Sequence, residues 1–200
     1  TKSGALFCLD ESTGNTIWSV TGITSGYWGL TGTPLVYDGV IYVTSPTQHQ
    51  LLGYDIGNGN LVFQRALGSK GGIIFTSPTL SSENNLLVTD ASGILEISPA
   101  NDLINSYTLP SAITTGSSIV ACEDAIYLNA NGILYRINTI GEWTEAWNVS
   151  TLTSTIPVLT ESAVYVSQGG TLAAYNITTG EALDGFTMHV SGGSSSYLNP

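Results

Sequence analysis

A repeat of about forty residues is the feature that most restricts how this chain can fold, because a unit that recurs at fixed period buries its apolar face against its own copies. Four full units align. The first runs TGTPLVYDGVIYV over 31–43 and LLGYDIGNGNLVF over 51–63; the second is TSPTLSSENNLLVTDASGILEIS, 76–98. The third is TGSSIVACEDAIYLNANGILYRIN, 115–138, and the fourth STIPVLTESAVYVSQGGTLAAYNITTG, 154–180. In this alignment Pro34, Pro78, Ser118 and Pro157 are equivalent and lie 44, 40 and 39 residues apart. Each unit holds a short apolar strand, a polar or acidic turn, an alternating strand such as Ile41-Tyr42-Val43 or Val164-Tyr165-Val166, a second turn, a third strand and a glycine turn. Asn131-Gly132 between two alternating runs is a strong hairpin signal, since the tight turn needs positive φ at both positions.

Four strands per unit, no helical period and a spacing near forty predict an all-β propeller, whose blades stack radially around one shared core. The expected units are approximately 1–20, 31–64, 75–105, 114–148 and 154–187, about five in all, as a single domain over 1–200. Residues 188–200 read as the start of a further or closing strand. At the front of the chain CLDESTGNTIW, 8–18, reads as strand, turn and strand: Asp10, Ser12 and Thr13 accept from nearby amides and Gly14 takes the positive φ. Trp18 then supplies a bulky anchor, and the expected docking set is Thr13 and Gly14 in the turn with Trp18 buried against the next blade.

Charge removes whole classes of function. Fifteen acidic residues stand against four basic ones, Lys2, Arg65, Lys70 and Arg136, for a net charge of −11, so the electrostatic footprint for nucleic acid or anionic lipid is missing. No apolar run approaches the ~18 residues that cross a bilayer, so membrane insertion within this chain is not expected. Scarce lysine, abundant Ser and Thr, and the sequons Asn148-Val149-Ser150 and Asn176-Ile177-Thr178 favour an exported, extracellular or cell-surface protein. Cys8 and Cys122 are too few and too far apart for a disulfide framework or a metal set and read as buried free thiols. By the repeat, eleven of the fifteen carboxylates fall in or beside first-to-second or third-to-fourth strand turns, which share one face of a propeller.

LDESTGNTIW, 9–18, resembles the turn-and-tryptophan signature of the PQQ-like repeat, found in quinoprotein dehydrogenases, in the lipoprotein of the outer-membrane β-barrel assembly machinery and in many bacterial and archaeal surface proteins. The similarity covers nearly the whole chain, but the signature is intact only once. Phe63 stands at the Trp18 position in the next unit and Asp184 in the last; the units in between keep the strand pattern and lose the signature, with Trp143 and Trp147 the candidates in the third full unit. Rings of this family usually have more blades than five. SSSYLNP, 194–200, resembles a first strand, so the chain is expected either to close imperfectly with five blades or, as the favoured reading, to be a piece of a longer one.

The resemblance to the quinoprotein enzymes implies a quinone under a disulfide ring of adjacent cysteines, calcium held by carboxylate and amide oxygens, and an aspartate base. Two cysteines far apart and four basic residues do not supply these parts, so no enzyme activity, no cofactor and no metal are expected. Asp55-Ile56-Gly57-Asn58-Gly59-Asn60 and Asn129-Ala130-Asn131-Gly132 look superficially like calcium loops, yet neither has the closing glutamate and both fall where the repeat turns. Tyr42, Tyr127 and Tyr165 recur in register and read as inter-blade packing. Outside the repeat, the long crossing 19–32 carries Tyr27 and Trp28 between glycines, and the long turn 44–50 carries Gln48 and His49. These four form the candidate patch for an unknown protein or glycan partner. The expected function is a non-catalytic binding and scaffold module; the alternatives are a fragment of a PQQ-dependent dehydrogenase and an assembly factor that takes peptide strands on a blade edge.

Overall fold

The computed structural model describes residues 4–24, 32–68, 76–114, 118–168, 170–185 and the backbone of 188–189. Five antiparallel sheets follow one another along the chain. β1 (Leu6–Leu9) and β2 (Thr16–Val20) form the first. The second is β3 (Leu35–Tyr37), β4 (Val40–Ser45), β5 (Gln50–Asp55) and β6 (Leu61–Ala66), and the third is β7 (Thr79–Leu80), β8 (Leu86–Thr89), β9 (Gly93–Ile97) and β10 (Leu103–Thr108). β11 (Val120–Ala121), β12 (Ala125–Ala130), β13 (Ile133–Asn138) and β14 (Thr144–Ser150) make the fourth; β15 (Val158–Leu159), β16 (Ala163–Gln168), β17 (Thr171–Asn176) and β18 (Met188–His189) make the fifth. In the four full sheets each strand pairs with its neighbours in sequence, which is the meander of a propeller blade.

The turns form where backbone geometry requires them. Asp38-Gly39 and Asn131-Gly132 both take two consecutive positive φ angles, 47° and 74° in the first and 53° and 74° in the second, so each two-residue hairpin twists with its strands. Between third and fourth strands one construction recurs. The Asp10 carboxylate accepts from the amides of Ser12 and Thr13, the Asp55 carboxylate from Gly57 and Asn58, and the Asn176 side chain from Thr178 and Thr179. Gly14, Gly59 and Gly180 then donate to the main-chain carbonyls of Asp10, Asp55 and Asn176 at positive φ. The loop at 55–60 is therefore closed on itself.

Pairing registers align the blades residue by residue. Leu35, Tyr42, Gly53 and Phe63 form one cross-strand row; Thr79, Leu87, Glu96 and Asn105 form the next; Val120, Tyr127, Arg136 and Trp147 the third; and Val158, Tyr165 and Ala174 the fourth. In the first sheet Cys8 pairs with Trp18. The register thus sets Ile119, rather than Ser118, level with Pro34, Pro78 and Pro157.

The rows of the first four sheets face the following blade, and the core is built there. One cluster joins Leu6, Trp18 and Val20 to Ile41, Val43 and Leu52; a second joins Tyr42, Leu51 and Phe63 to Leu86, Val88 and Ile97. A third joins Leu87 and Ile94 to Ile126, Leu128 and Trp143, and a fourth joins Tyr127 and Leu134 to Val164 and Val166. Tyr42 and Tyr127 are buried in these interfaces, whereas Tyr165 is half-buried. Cys8 and Cys122 are free and only half-buried, not buried as the sequence suggests.

Trp18 is the staple between the first two sheets. Its indole N–H donates to the Ile56 carbonyl at 2.9 Å, and its ring lies against Gly59, where an added Cβ would come within 2.8 Å of Cε3. Trp147 repeats the contact three interfaces later, between the fourth and fifth sheets, donating to the Ile177 carbonyl at 3.3 Å and lying against Gly180. Trp143 instead points back into the cluster with Leu87, so Trp147 holds the docking position of its blade. Trp18 is half-buried rather than enclosed, since its outer edge meets solvent. Trp18→Ala is expected to cost about 2 kcal/mol, below the ~3–5 kcal/mol of an enclosed tryptophan. Gly59→Ala should exceed the ~1 kcal/mol of positive φ alone, the cost expected for Gly141→Ala, where a Cβ meets nothing. In urea denaturation the double change Trp18→Ala with Gly59→Ala should cost less than the two single costs together, because removing the ring removes the clash.

Candidate functional site

The crossing and the turn singled out in the sequence meet at one end of the second sheet. The Ser45 hydroxyl donates to the Ile23 carbonyl at 2.6 Å, the Thr24 and Thr47 hydroxyls lie 2.6 Å apart, and the Gln48 amide donates to the Gly22 carbonyl at 3.3 Å. His49 adopts φ +51°, its carbonyl accepts from the Leu67 amide, and its Nδ1 is buried with no hydrogen-bond partner among the described residues. Gln48 is exposed at the rim. Tyr27 and Trp28 lie outside the described residues, so what is described brings Gln48 and His49 to the foot of the crossing that carries them.

At the other end of the blades lie the first-to-second and third-to-fourth strand turns. Asp38, Glu83, Glu123, Asp124 and Glu161 occupy the first kind; Asp10, Glu11, Asp55, Asp102, Glu142 and Glu181 occupy the second. Arg136 is a cation placed among them. Its guanidinium pairs with Asp124 at 2.9 Å and donates to the Tyr127 hydroxyl and to the Asn138 side chain, while the Tyr127 hydroxyl donates to the Ile177 carbonyl. Burial pushes the Tyr127 phenol up, and Arg136 opposes that shift, so the hydroxyl stays protonated as a donor. Burial also raises the Cys122 thiol, which keeps it a thiol rather than a nucleophilic thiolate at neutral pH.

The second and fourth sheets carry an aromatic pair across their third strands. Tyr42 and Phe63 meet edge to face at 5.4 Å over Gly53, and Tyr127 and Trp147 meet at 5.9 Å over Arg136. The third sheet has Leu87 and Asn105 at those positions, with Glu96 between them. A cleft of about 330 Å³ opens there towards the fourth sheet, lined among others by Leu87, Glu96, Asn105, Cys122, Ile140 and Trp143. Glu96 is 5% exposed, and its two carboxylate oxygens accept from the Asn85 and Asn105 amides at 3.0 and 2.9 Å. The loss of the tryptophan signature in this unit is visible in the sequence, but the cleft it leaves is not.

The family model PQQ_2, described as outer membrane protein assembly factor BamB, matches residues 1–187, and the chain belongs to that family. No curated protein sequence is similar enough to count as a match. Among solved structures, BamB from Moraxella catarrhalis superposes with a TM-score of 0.73 at 19% identity, over 92% of this chain and 58% of that one. The dihydro-heme d1 dehydrogenase NirN gives 0.67 at 12% identity over 96% of this chain and 42% of its own. The Cps50 (Swd1) β-propeller domain of Myceliophteria thermophila gives 0.64 at 13% identity, over 94% and 67%. These likenesses establish the propeller fold, and the chain spans little more than half of the BamB structure.

Asp10 offers a direct check on the turn chemistry. The Ser12 and Thr13 hydroxyls, aided by their amides, hold its carboxyl down to about 2. A depressed carboxyl stabilises the fold fully above its unfolded value near 4, and that contribution is lost as pH falls through about 2. In NMR titration the Asp10 carboxyl should shift with a midpoint near 2, and Ser12→Ala with Thr13→Ala should raise it towards 3.8.

Proposed function

We propose that this chain is a non-catalytic binding and scaffold module of an exported or cell-surface protein, with rigid blades presenting loops to a protein or glycan partner. The observation that carries this reading is membership, over residues 1–187, of a family described as an assembly factor. Three hydrogen bonds that fasten the 19–24 crossing to the 44–50 turn support it, since a pre-organised loop loses less entropy on binding. Tyr27, Trp28, Gln48 and His49 form the proposed contact patch: the aromatic pair provides area at little rotamer cost, and the tied turn beneath holds the crossing in place. The same family description favours one further reading, an assembly factor that pairs peptide strands with a blade edge.

Glycan arrays and a panel of unfolded polypeptides would be probed with the wild type and with Trp28→Ala, the latter checked for folding by circular dichroism. A ligand of the patch should bind the variant about tenfold more weakly. Equal affinity for both would remove the patch, and retention of unfolded polypeptides alone would favour strand pairing. Addition of pyrroloquinoline quinone and calcium should produce no quinone absorbance in the protein fraction; its appearance would argue for a dehydrogenase instead.

A further inference from the structure

The cleft between the third and fourth sheets stands where other blades seat an aromatic ring. Trp18 and Trp147 reach into the following blade at this level of the row and donate to the carbonyls of Ile56 and Ile177. Thr139 holds the same place in the fourth sheet. Its amide donates to the Asp124 carbonyl in the preceding hairpin turn, as Ile56 donates to Gly39 and Ile177 to Ser162. The blade facing Thr139 brings Asn105 to the docking position, and Asn105 turns inward to the Glu96 carboxylate rather than across to the next blade. The place taken by a ring at the neighbouring interfaces is open.

The walls that remain suit a ring. Trp143, 8% exposed, and Leu87 form the apolar floor, and Ile140, 78% exposed, stands at the mouth. At about 330 Å³ the cleft falls at the small end of the ~300–1,000 Å³ typical of ligand pockets. Its charge is one-sided. Glu83 and Glu123 line it together with the buried Glu96, and the described residues lining it include no lysine or arginine. Glu83 and Glu123 stand exposed in the hairpin turns at its edge, so a cation at the mouth is attracted at short range.

We propose that this cleft is a docking slot for an aromatic side chain, tryptophan above all, carried on a basic segment of a partner protein. The incoming indole replaces the internal one found at the other interfaces, with its N–H directed to the main chain at Thr139 and its flanking lysine or arginine beside Glu83 and Glu123. The slot lies at the opposite end of the blades from the 44–50 turn and shares no residue with the patch proposed above.

Three fluorescein-labelled hexapeptides test it by anisotropy with the full chain at low ionic strength: one centred on Lys-Trp-Lys, one on Lys-Ala-Lys and one on Glu-Trp-Glu. The first should bind at least about tenfold more tightly than either of the others. Asn105→Trp, which fills the slot from within, should reduce binding of the first peptide by a similar factor. Should that variant fail to fold, the surface pair Glu83→Lys with Glu123→Lys and the single change Ile140→Ala keep the test open: the pair should abolish binding and Ile140→Ala should weaken it about threefold. Equal binding of the Lys-Ala-Lys peptide would show attraction by charge alone and overturn the proposal. So would unchanged binding of the first peptide to the folded variants.

Discussion

Each full sheet of this chain has two apolar faces and cannot cover either of them alone, so the fold depends on the contact of one blade with the next. The four hydrophobic clusters are all of this kind, each pairing the row-bearing face of one sheet with the back of its successor. Hydrogen bonds add direction to that burial. An indole N–H or a tyrosine hydroxyl reaching a main-chain carbonyl in the next turn fixes height and angle, which apolar contact by itself leaves loose.

The docking position shows how a repeat can vary without losing its architecture. Trp18, Phe63, Asn105 and Trp147 occupy it in successive blades, and each brings a different partner set. Tryptophan closes the interface with a ring and one hydrogen bond. Phe63 keeps the ring and pairs it with Tyr42 within its own blade, while the neighbouring Arg65 donates to Asn101 in the following turn. Asn105 gives up the ring and satisfies a buried carboxylate. The interface survives there because Leu87, Ile94 and Trp143 still bury their side chains below the cleft.

Much of this was legible in the residues. Period, strand count and the Asn131-Gly132 turn follow from local chemistry that tertiary packing does not override, and Trp18 announces its own role by size and by its distance from Gly14. What stayed hidden depends on which faces meet. The pairing of Asn85 and Asn105 with Glu96 joins three residues on three strands, and no spacing within one strand reports it. The choice between Trp143 and Trp147 turned on a register shift between Arg136 and Ile137, which a flat alignment cannot locate. Asn176 illustrates ambiguity of another sort: its sequon suggests export, yet its side chain closes the turn that aspartate closes in the first two sheets. The contact patch was legible only as an excess of loop length, and its two aromatic residues fall outside the described segments.

The register irregularity before the fourth strand recurs at one level in four sheets: between Cys8 and Leu9, Gly53 and Tyr54, Leu103 and Asn105, and Arg136 and Ile137. An extra residue at such a point coils the outer ribbon more tightly and swings the side chain beyond it sideways. The outermost strand can then be rewritten on its solvent side without disturbing the ladder within, because the kink absorbs the mismatch. A substitution on such a ribbon meets solvent, while any change of side-chain volume in the inner strands β8 and β12, buried along their whole length, meets packed neighbours.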